Sequence, residues 1–335
     1  GQKNLLVAPA ELLCVTCHKD ITASAEAKSI HSPSEGDCLD CHKPHGGKGK
    51  AFLTVSTPEL CFECHDQNSA SARATHLDRD LAGLDCMGCH EPHNSMKTGL
   101  MNAVSHEPFD DGDCSVCHES NEPIADQTET CGMCHDDLPF ASAGGKNLHA
   151  PFESGECSEC HGPHAARGDH LMSSERVSDT CAECHDPGDL IPVPEFAHTP
   201  VKEGSCERCH DSHGSGQPNL LAASAAELCW TCHPQVKEEQ SRRHVHKPFA
   251  QGKCVECHDS HGGNAPMGLR EEPRILCARC HDPENAGLVA KHQGFPLTDV
   301  DCTSCHDAHA SNSPNLAYEE VHAPYGENEC SACHG

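Results

Sequence analysis

The sequence predicts a mostly irregular coil with short α-helices and almost no sheet. Three observations carry that expectation. The 335 residues are only 36% apolar and 3% aromatic, with Trp230 the single tryptophan, which is too little for an ordinary core of that size. Glycine (27) and proline (23) are spread along the chain among Ser, Asp and Asn and interrupt any long element. All 28 cysteines fall in a single motif, CxxCH, which occurs fourteen times.

The cysteine pairs are Cys14 and Cys17, Cys38 and Cys41, Cys61 and Cys64, Cys86 and Cys89, Cys114 and Cys117, Cys131 and Cys134, and Cys157 and Cys160. The second half of the chain adds Cys181 and Cys184, Cys206 and Cys209, Cys229 and Cys232, Cys254 and Cys257, Cys277 and Cys280, Cys302 and Cys305, and Cys330 and Cys333. Each pair is followed at once by histidine: His18, His42, His65, His90, His118, His135, His161, His185, His210, His233, His258, His281, His306 and His334. CxxCH reads as a c-type haem attachment site. Two thiols add across the two vinyl groups of one haem, and the histidine ligates its iron. Positions i, i+3 and i+4 share one face of a helical turn, so all three groups reach one flat ring. A lone copy would read equally well as a zinc half-site or a dithiol pair. Histidine is 30 of 335 residues, so fourteen coincidences in fourteen exclude chance.

Fourteen covalently held haem c groups supply the missing core. The expectation is an elongated molecule whose core is a continuous haem stack, coated thinly by polypeptide. The formal charge is −29, and haem propionates add to it. Such acidity argues against nucleic acid and anionic lipid, and favours partners with basic surfaces, such as other cytochromes or redox proteins. No apolar run approaches the length of a membrane span. Haem attachment to CxxCH occurs outside the cytoplasmic membrane, so the chain is expected to be exported, to the periplasm or the cell surface. The opening at Gly1 lacks the charged and apolar regions of a signal, which reads as a mature form.

Two kinds of site alternate. Kind A starts at Cys14, Cys61, Cys131, Cys181, Cys229 and Cys277 and follows a helical lead. Ser224 and Glu227 form a capping-box pattern before Cys229. Thr57-Pro58-Glu59 before Cys61 suggests a capping Thr with Pro at the first helical position. Kind B starts at Cys38, Cys86, Cys114, Cys157, Cys206, Cys254, Cys302 and Cys330. Their order reads ABABB, ABAB, ABABB, which gives blocks over 1–121, 122–215 and 216–335. Gly1-Gln2 and Asn4-Leu5-Leu6 recur as Gly216-Gln217 and Asn219-Leu220-Leu221. The joints, Glu122-Pro123 and Gly214-Ser215-Gly216, are punctuation in one continuous array rather than domain linkers.

Sixteen histidines lie outside the motifs. Eight precede B sites: His31, His76, His106, His149, His198, His246, His292 and His322. Six follow B sites: His45, His93, His164, His213, His261 and His309. Fourteen candidates for fourteen irons suggest a rule. Each upstream histidine ligates its own B haem, and each following histidine ligates the A haem of the same pair. Under this rule His18 and His45 hold the first haem, and His42 and His31 the second. His170 and His244 are left over as surface histidines. Met96, Met101, Met172 and Met267 are thioether alternatives that the histidine count makes unnecessary.

The pattern resembles the doubled-CxxCH multihaem c-type cytochromes, through six AB pairs and two solitary B sites. The resemblance implies bis-histidine electron carriers. That family includes pentahaem periplasmic donors, decahaem conduits threaded through outer-membrane porins, and relatives that polymerise into extracellular wires. The expected function is therefore conduction of electrons along the haem chain for extracellular or trans-envelope transfer, without catalysis. The chain would act alone, in an outer-membrane porin, or as a head-to-tail filament of its own copies. The rival is a nitrite or hydroxylamine reductase, which needs an iron with an open site, often marked by CxxCK, and no CxxCK occurs.

Overall fold

The computed structural model describes residues 6–19, 21, 26–48, 51–120, 124–138, 147–191 and 194–326. Asn121, the joint at Glu122-Pro123, the repeat start at Gly1-Gln2 and the last motif with Cys330, Cys333 and His334 lie outside the described residues. By contact the chain divides into two units: Gly1–Ala141 with Ala150–Thr180, and Ser142–His149 with Cys181–Gly335.

Irregular coil with short helices and very little sheet is what forms. CxxCH needs only one turn, and one turn is mostly what it receives. The A motifs lie on short α-helices, such as Ala10–Cys17, Gln127–Gly132 and Ala225–Cys232. The Ser224 side chain accepts from the Glu227 backbone while the Glu227 carboxylate accepts from that of Ser224, so the expected capping box is present. Asp126 caps the Gln127 helix through the Glu129 N–H at 2.9 Å. At Cys61 the expectation is corrected. The helix runs Glu59–Phe62 with Pro58, not Thr57, at the cap position and no side-chain cap. The B motifs coil more tightly, most as three-residue 3₁₀ turns such as Cys86–Gly88 and Cys254–Glu256.

Eight two-residue strands pair into antiparallel ladders: β1 (Ser29–Ile30), β2 (Asn94–Ser95), β3 (Val104–Ser105), β4 (Asn147–Leu148), β5 (Ala165–Ala166), β6 (Gly214–Ser215), β7 (His244–Val245) and β8 (Ala310–Ser311). In the first unit β1 pairs β2 and β3 pairs β5. In the second β4 pairs β6 and β7 pairs β8, and a single bridge joins Ala197 to Gly262. Each ladder sets a segment ending at an upstream histidine beside one that starts after a following histidine. The partner strands β5, β6 and β8 are small and buried. Their close approach leaves no room for larger side chains. At Gly214 in β6 an added Cβ would stand 2.7 Å from the Leu148 side chain and 3.1 Å from the Asn147 carbonyl oxygen across the ladder.

Ala165, Ala166, Phe249, Ala265 and Ala310 are the buried apolar residues among those described. Five such residues make no core, so the fold depends on something besides its own side chains.

Candidate functional site

Each motif is closed by its own backbone. In all thirteen described copies the histidine N–H donates to the carbonyl of the first cysteine, for example His18 to Cys14 at 3.0 Å and His90 to Cys86 at 2.9 Å. That single turn puts both thiols and the imidazole on one face.

The B-motif rings are oriented by a second contact. His42, His90, His161, His210, His258 and His306 donate from Nδ1 to the carbonyls of Ala51, Gly99, His170, Asn219, Met267 and Asn315 at 2.7–3.1 Å. A carbonyl can only accept, so the proton sits on Nδ1 and Nε2 is left as the ligating nitrogen. Gly99, His170, Asn219, Met267 and Asn315 have left-handed backbone, φ +55 to +70°, which turns their carbonyls back onto the ring. This accounts for His170, which orients His161 through its main chain. Met267 has the same role, with its side chain 89% exposed. His244 lies in β7 opposite Ser311.

Motif histidines face other histidines across a constant gap. Eight pairs have ring centroids 5.9–6.3 Å apart and planes within 17–29°: His31–His65, His42–His93, His106–His135, His118–His164, His149–His185, His198–His233, His210–His261 and His246–His281. His258–His309 is 6.1 Å at 46°. His76–His90 and His292–His306 are 6.2 Å apart but near perpendicular, at 61° and 67°. These are not stacked rings, as Phe249 against His309 is at 4.7 Å. A metal–imidazole bond of about 2 Å plus about 1 Å to the ring centre, taken on both sides of one ion, gives about 6 Å. Every pair joins one motif histidine to one from outside the motifs, so the residues present fit a haem iron held from both faces.

The pairing rule read from the sequence is thereby corrected at most sites. His31 faces His65, not His42, and His42 faces His93. The ladders are the cause. The His31 N–H donates to the His93 carbonyl at 2.9 Å, and His106 to His164, His149 to His213, His198 to His261 and His246 to His309 at 2.9–3.2 Å. The two histidines of a ladder point to neighbouring motifs. The upstream one goes forward to the next A motif, and the following one goes back to the preceding B motif. His246 therefore faces His281, and His258 receives His309. The rule holds at His76 and His292. Each ends a helix, Ala70–Thr75 or Ala286–Lys291, and donates Nδ1 to the carbonyl four residues back at 2.9 Å.

A sequence signal for the two classes exists and was missed. The ladder histidines read His-x-Pro, seven or eight residues before the cysteine, as in His31-Ser32-Pro33 and His106-Glu107-Pro108. Pro enters the first turn of the helix that follows, where it costs no hydrogen bond. His76 and His292 lack that proline and stand ten residues ahead of Cys86 and Cys302. Those two motifs are each followed by another B motif, whereas the five ladder histidines belong to B motifs with an A motif next.

The thiols trace the order of the motifs. Burial, then the charge of a neighbouring thiol, pushes Cys61, Cys131, Cys229 and Cys277 up to about 11, the neighbours being Cys86, Cys157, Cys254 and Cys302. Those contacts join the A and B motifs of one pair. Cys41 feels Cys64, Cys209 feels Cys232 and Cys257 feels Cys280, which joins a B motif to the next A. Burial lowers His164, His246, His258 and His261, holding them neutral as ligation requires. The His309 Nδ1 is 3.1 Å from Glu239 Oε2. Asp307 beside it is paired with Arg242 at 2.9 Å, so this acidic group supports the histidine.

The Doubled CXXCH motif family matches residues 31–70, 149–190, 198–238, 246–286 and 295–321. The chain is also similar to the multiheme cytochrome MtrA of Shewanella baltica (strain OS185), 26% identical over 193 residues, which is 55% of this chain and 48% of that protein. It therefore spans about half the length of that curated relative. No helix among the described residues is long and apolar enough to cross a membrane.

Proposed function

The chain belongs to the doubled CXXCH motif family of multihaem c-type cytochromes, and on that premise we propose that it carries fourteen haems and conducts electrons along them, outside the cytoplasmic membrane, without catalysing a reaction of its own. The observation that carries this reading is the constant gap of 5.9–6.3 Å between paired imidazoles. Bound haem supplies a one-electron iron couple. The chain's residues do the rest. The cysteines would fix each ring covalently, and in the eleven described pairs the motif histidine and its partner would hold the iron from either side. Two protein ligands leave no coordination site for a substrate, which disfavours a reductase. Carbonyl and carboxylate acceptors on Nδ1 strengthen the imidazoles as donors, which holds potentials low. Thiol contacts within pairs and ladders between them place successive motifs side by side.

The acidic surface suits redox partners with basic faces. The same reading has copies joining head to tail into a wire. The test is intact mass with a thiol titration and a spin-state spectrum of the purified protein. Fourteen haems, no free thiol and only low-spin bis-histidine signals are expected. Fewer haems, or an open high-spin site that persists under all conditions, would overturn it.

A further inference from the structure

Resting on that reading, we propose that Arg167 binds a propionate of the haem on the Cys86 motif and holds that haem's potential up. The argument begins at a buried donor. The Arg167 Nε–H is shielded from solvent and has no hydrogen-bond partner in the protein, although the residue as a whole is only half-buried. A guanidinium presents its donors in a rigid fork that matches a carboxylate, and burying one of them unpaired is costly. Each haem brings two carboxylates to its CxxCH turn. The group that the motifs are built to hold therefore supplies the acceptor that Arg167 lacks.

The backbone sets the direction of the side chain. Side chains alternate across a strand, and Arg167 directly follows β5. Ala166 faces the hairpin of its own motif, because a Cβ added at Gly162 would stand 3.2 Å from the Ala166 Cβ. Gly168 faces the same way, since a Cβ there would stand 3.0 Å from the Met172 Cβ. Arg167 lies between them and so points to the other side, away from the Cys157 motif. Two relations identify what lies there. Continuing the β3–β5 register by one residue sets Arg167 opposite Ala103. Its neighbour Asn102 is buried and donates from the side-chain amide to the carbonyls of Met87 and Gly88 at 3.3 and 3.0 Å, inside the Cys86 turn. Glu91, directly after His90, also feels Arg167. Burial raises its carboxyl, but hydrogen bonds from His93 and then the Arg167 guanidinium hold it below the usual carboxylate range.

A cation recurs at this place. Where the outer pair of a two-residue ladder is described, it carries one: Lys28 beside Met96, Arg243 beside Asn312, and here Arg167 beside Ala103. Lys28 and Arg243 sit on the leading strand, their backbone N–H groups donating to the Ser95 carbonyl at 2.9 Å and to Asn312 Oδ1 at 3.2 Å. Arg167 sits on the trailing strand. Lysine and arginine are only 23 of 335 residues, so what recurs is a charge that either strand can supply. Lys28 and Arg243 are exposed, and Arg167 is the one drawn inward.

The test is a redox titration of the full-length holoprotein followed by electron paramagnetic resonance. The Cys86 haem can be recognised because His76 and His90 stand at 61°, which puts it with the Cys302 haem in a strongly anisotropic class. A cation on its propionate disfavours the ferric charge. Arg167→Gln should therefore favour the oxidised form of one strongly anisotropic haem about tenfold, a fall of about 59 mV for one electron. Arg167→Lys, which keeps the charge without the fork, should fall less. The haem count by mass should not change. Two results overturn the proposal. One is a titration that neither variant alters. The other is a fall only among haems with near-parallel imidazoles, which would mean that Arg167 acts through Glu91 and His93 on the Cys38 haem. Should the variants fail to mature, a crystal structure of the wild-type holoprotein decides. The Arg167 Nε should stand about 3 Å from a propionate oxygen of the Cys86 haem, and an Nε bonded elsewhere overturns the proposal. Each of these failures leaves the haem count, and with it the electron-transfer reading, untouched.

Discussion

At Asn219 the backbone sits at φ +55° and its carbonyl accepts the His210 Nδ1 proton at 2.9 Å. Asparagine tolerates that conformation, and a β-branched residue does not. Asn219→Val should cost about 1–2 kcal/mol and Asn219→Gly close to nothing, a contrast that thermal unfolding of the two variants will show. The His309 ring, hydrogen-bonded to Glu239, is a stronger donor for that contact. Glu239→Gln should raise one haem potential in a spectroelectrochemical titration while leaving the haem count unchanged. His93→Ala should open the Cys38 haem, because the His93 ring faces His42; loss of a ligand at Cys61 instead would restore the pairing rule read from the sequence. That rule failed for a physical reason. The identities of the candidate histidines were open to a reader of the sequence, since ligand types and motif spacing are local. Which ring each one faces depends on a strand partner about sixty residues away, as His31 depends on His93.

At the scale of elements, the ladders and the helix-end histidines hold their rings differently. Ladder histidines present imidazoles nearly parallel to their partners, whereas His76 and His292 stand at 61° and 67°. Perpendicular imidazoles donate equally into two iron d orbitals and bring them close in energy, which makes a low-spin ferric signal strongly anisotropic. Electron paramagnetic resonance should therefore show two haem populations, and His292→Ala should diminish the more anisotropic one. A single rhombic population would contradict the ring angles. The short helices were legible because CxxCH and its caps, such as Ser224 with Glu227, are themselves one turn long. The ladders were not. A two-residue strand such as β3 carries no alternation to read, and its partner β5 lies across intervening motifs.

Over the whole molecule, a charge of −29 surrounds a chain with few buried apolar residues. Copies that join end to end must overcome mutual repulsion, so association followed by light scattering should strengthen with added salt or divalent cations. Association weakened by salt would point to attraction between opposite charges instead. Composition indicated only that an ordinary core is lacking, with 3% aromatic residues, and the fourteen CxxCH motifs indicated what replaces it. The division into two contact units was not legible, since it falls inside the middle block, where Ser142–His149 goes with the second unit and Ala150–Thr180 with the first.

The central claim is that each iron lies between a motif histidine and a partner brought from elsewhere in the chain. An anomalous difference map at the iron edge from crystals of the holoprotein tests it most directly. The account predicts a peak midway between His31 and His65, another between His42 and His93, and one in each of the other nine imidazole gaps. A peak between His31 and His42, or gaps without iron, would contradict it.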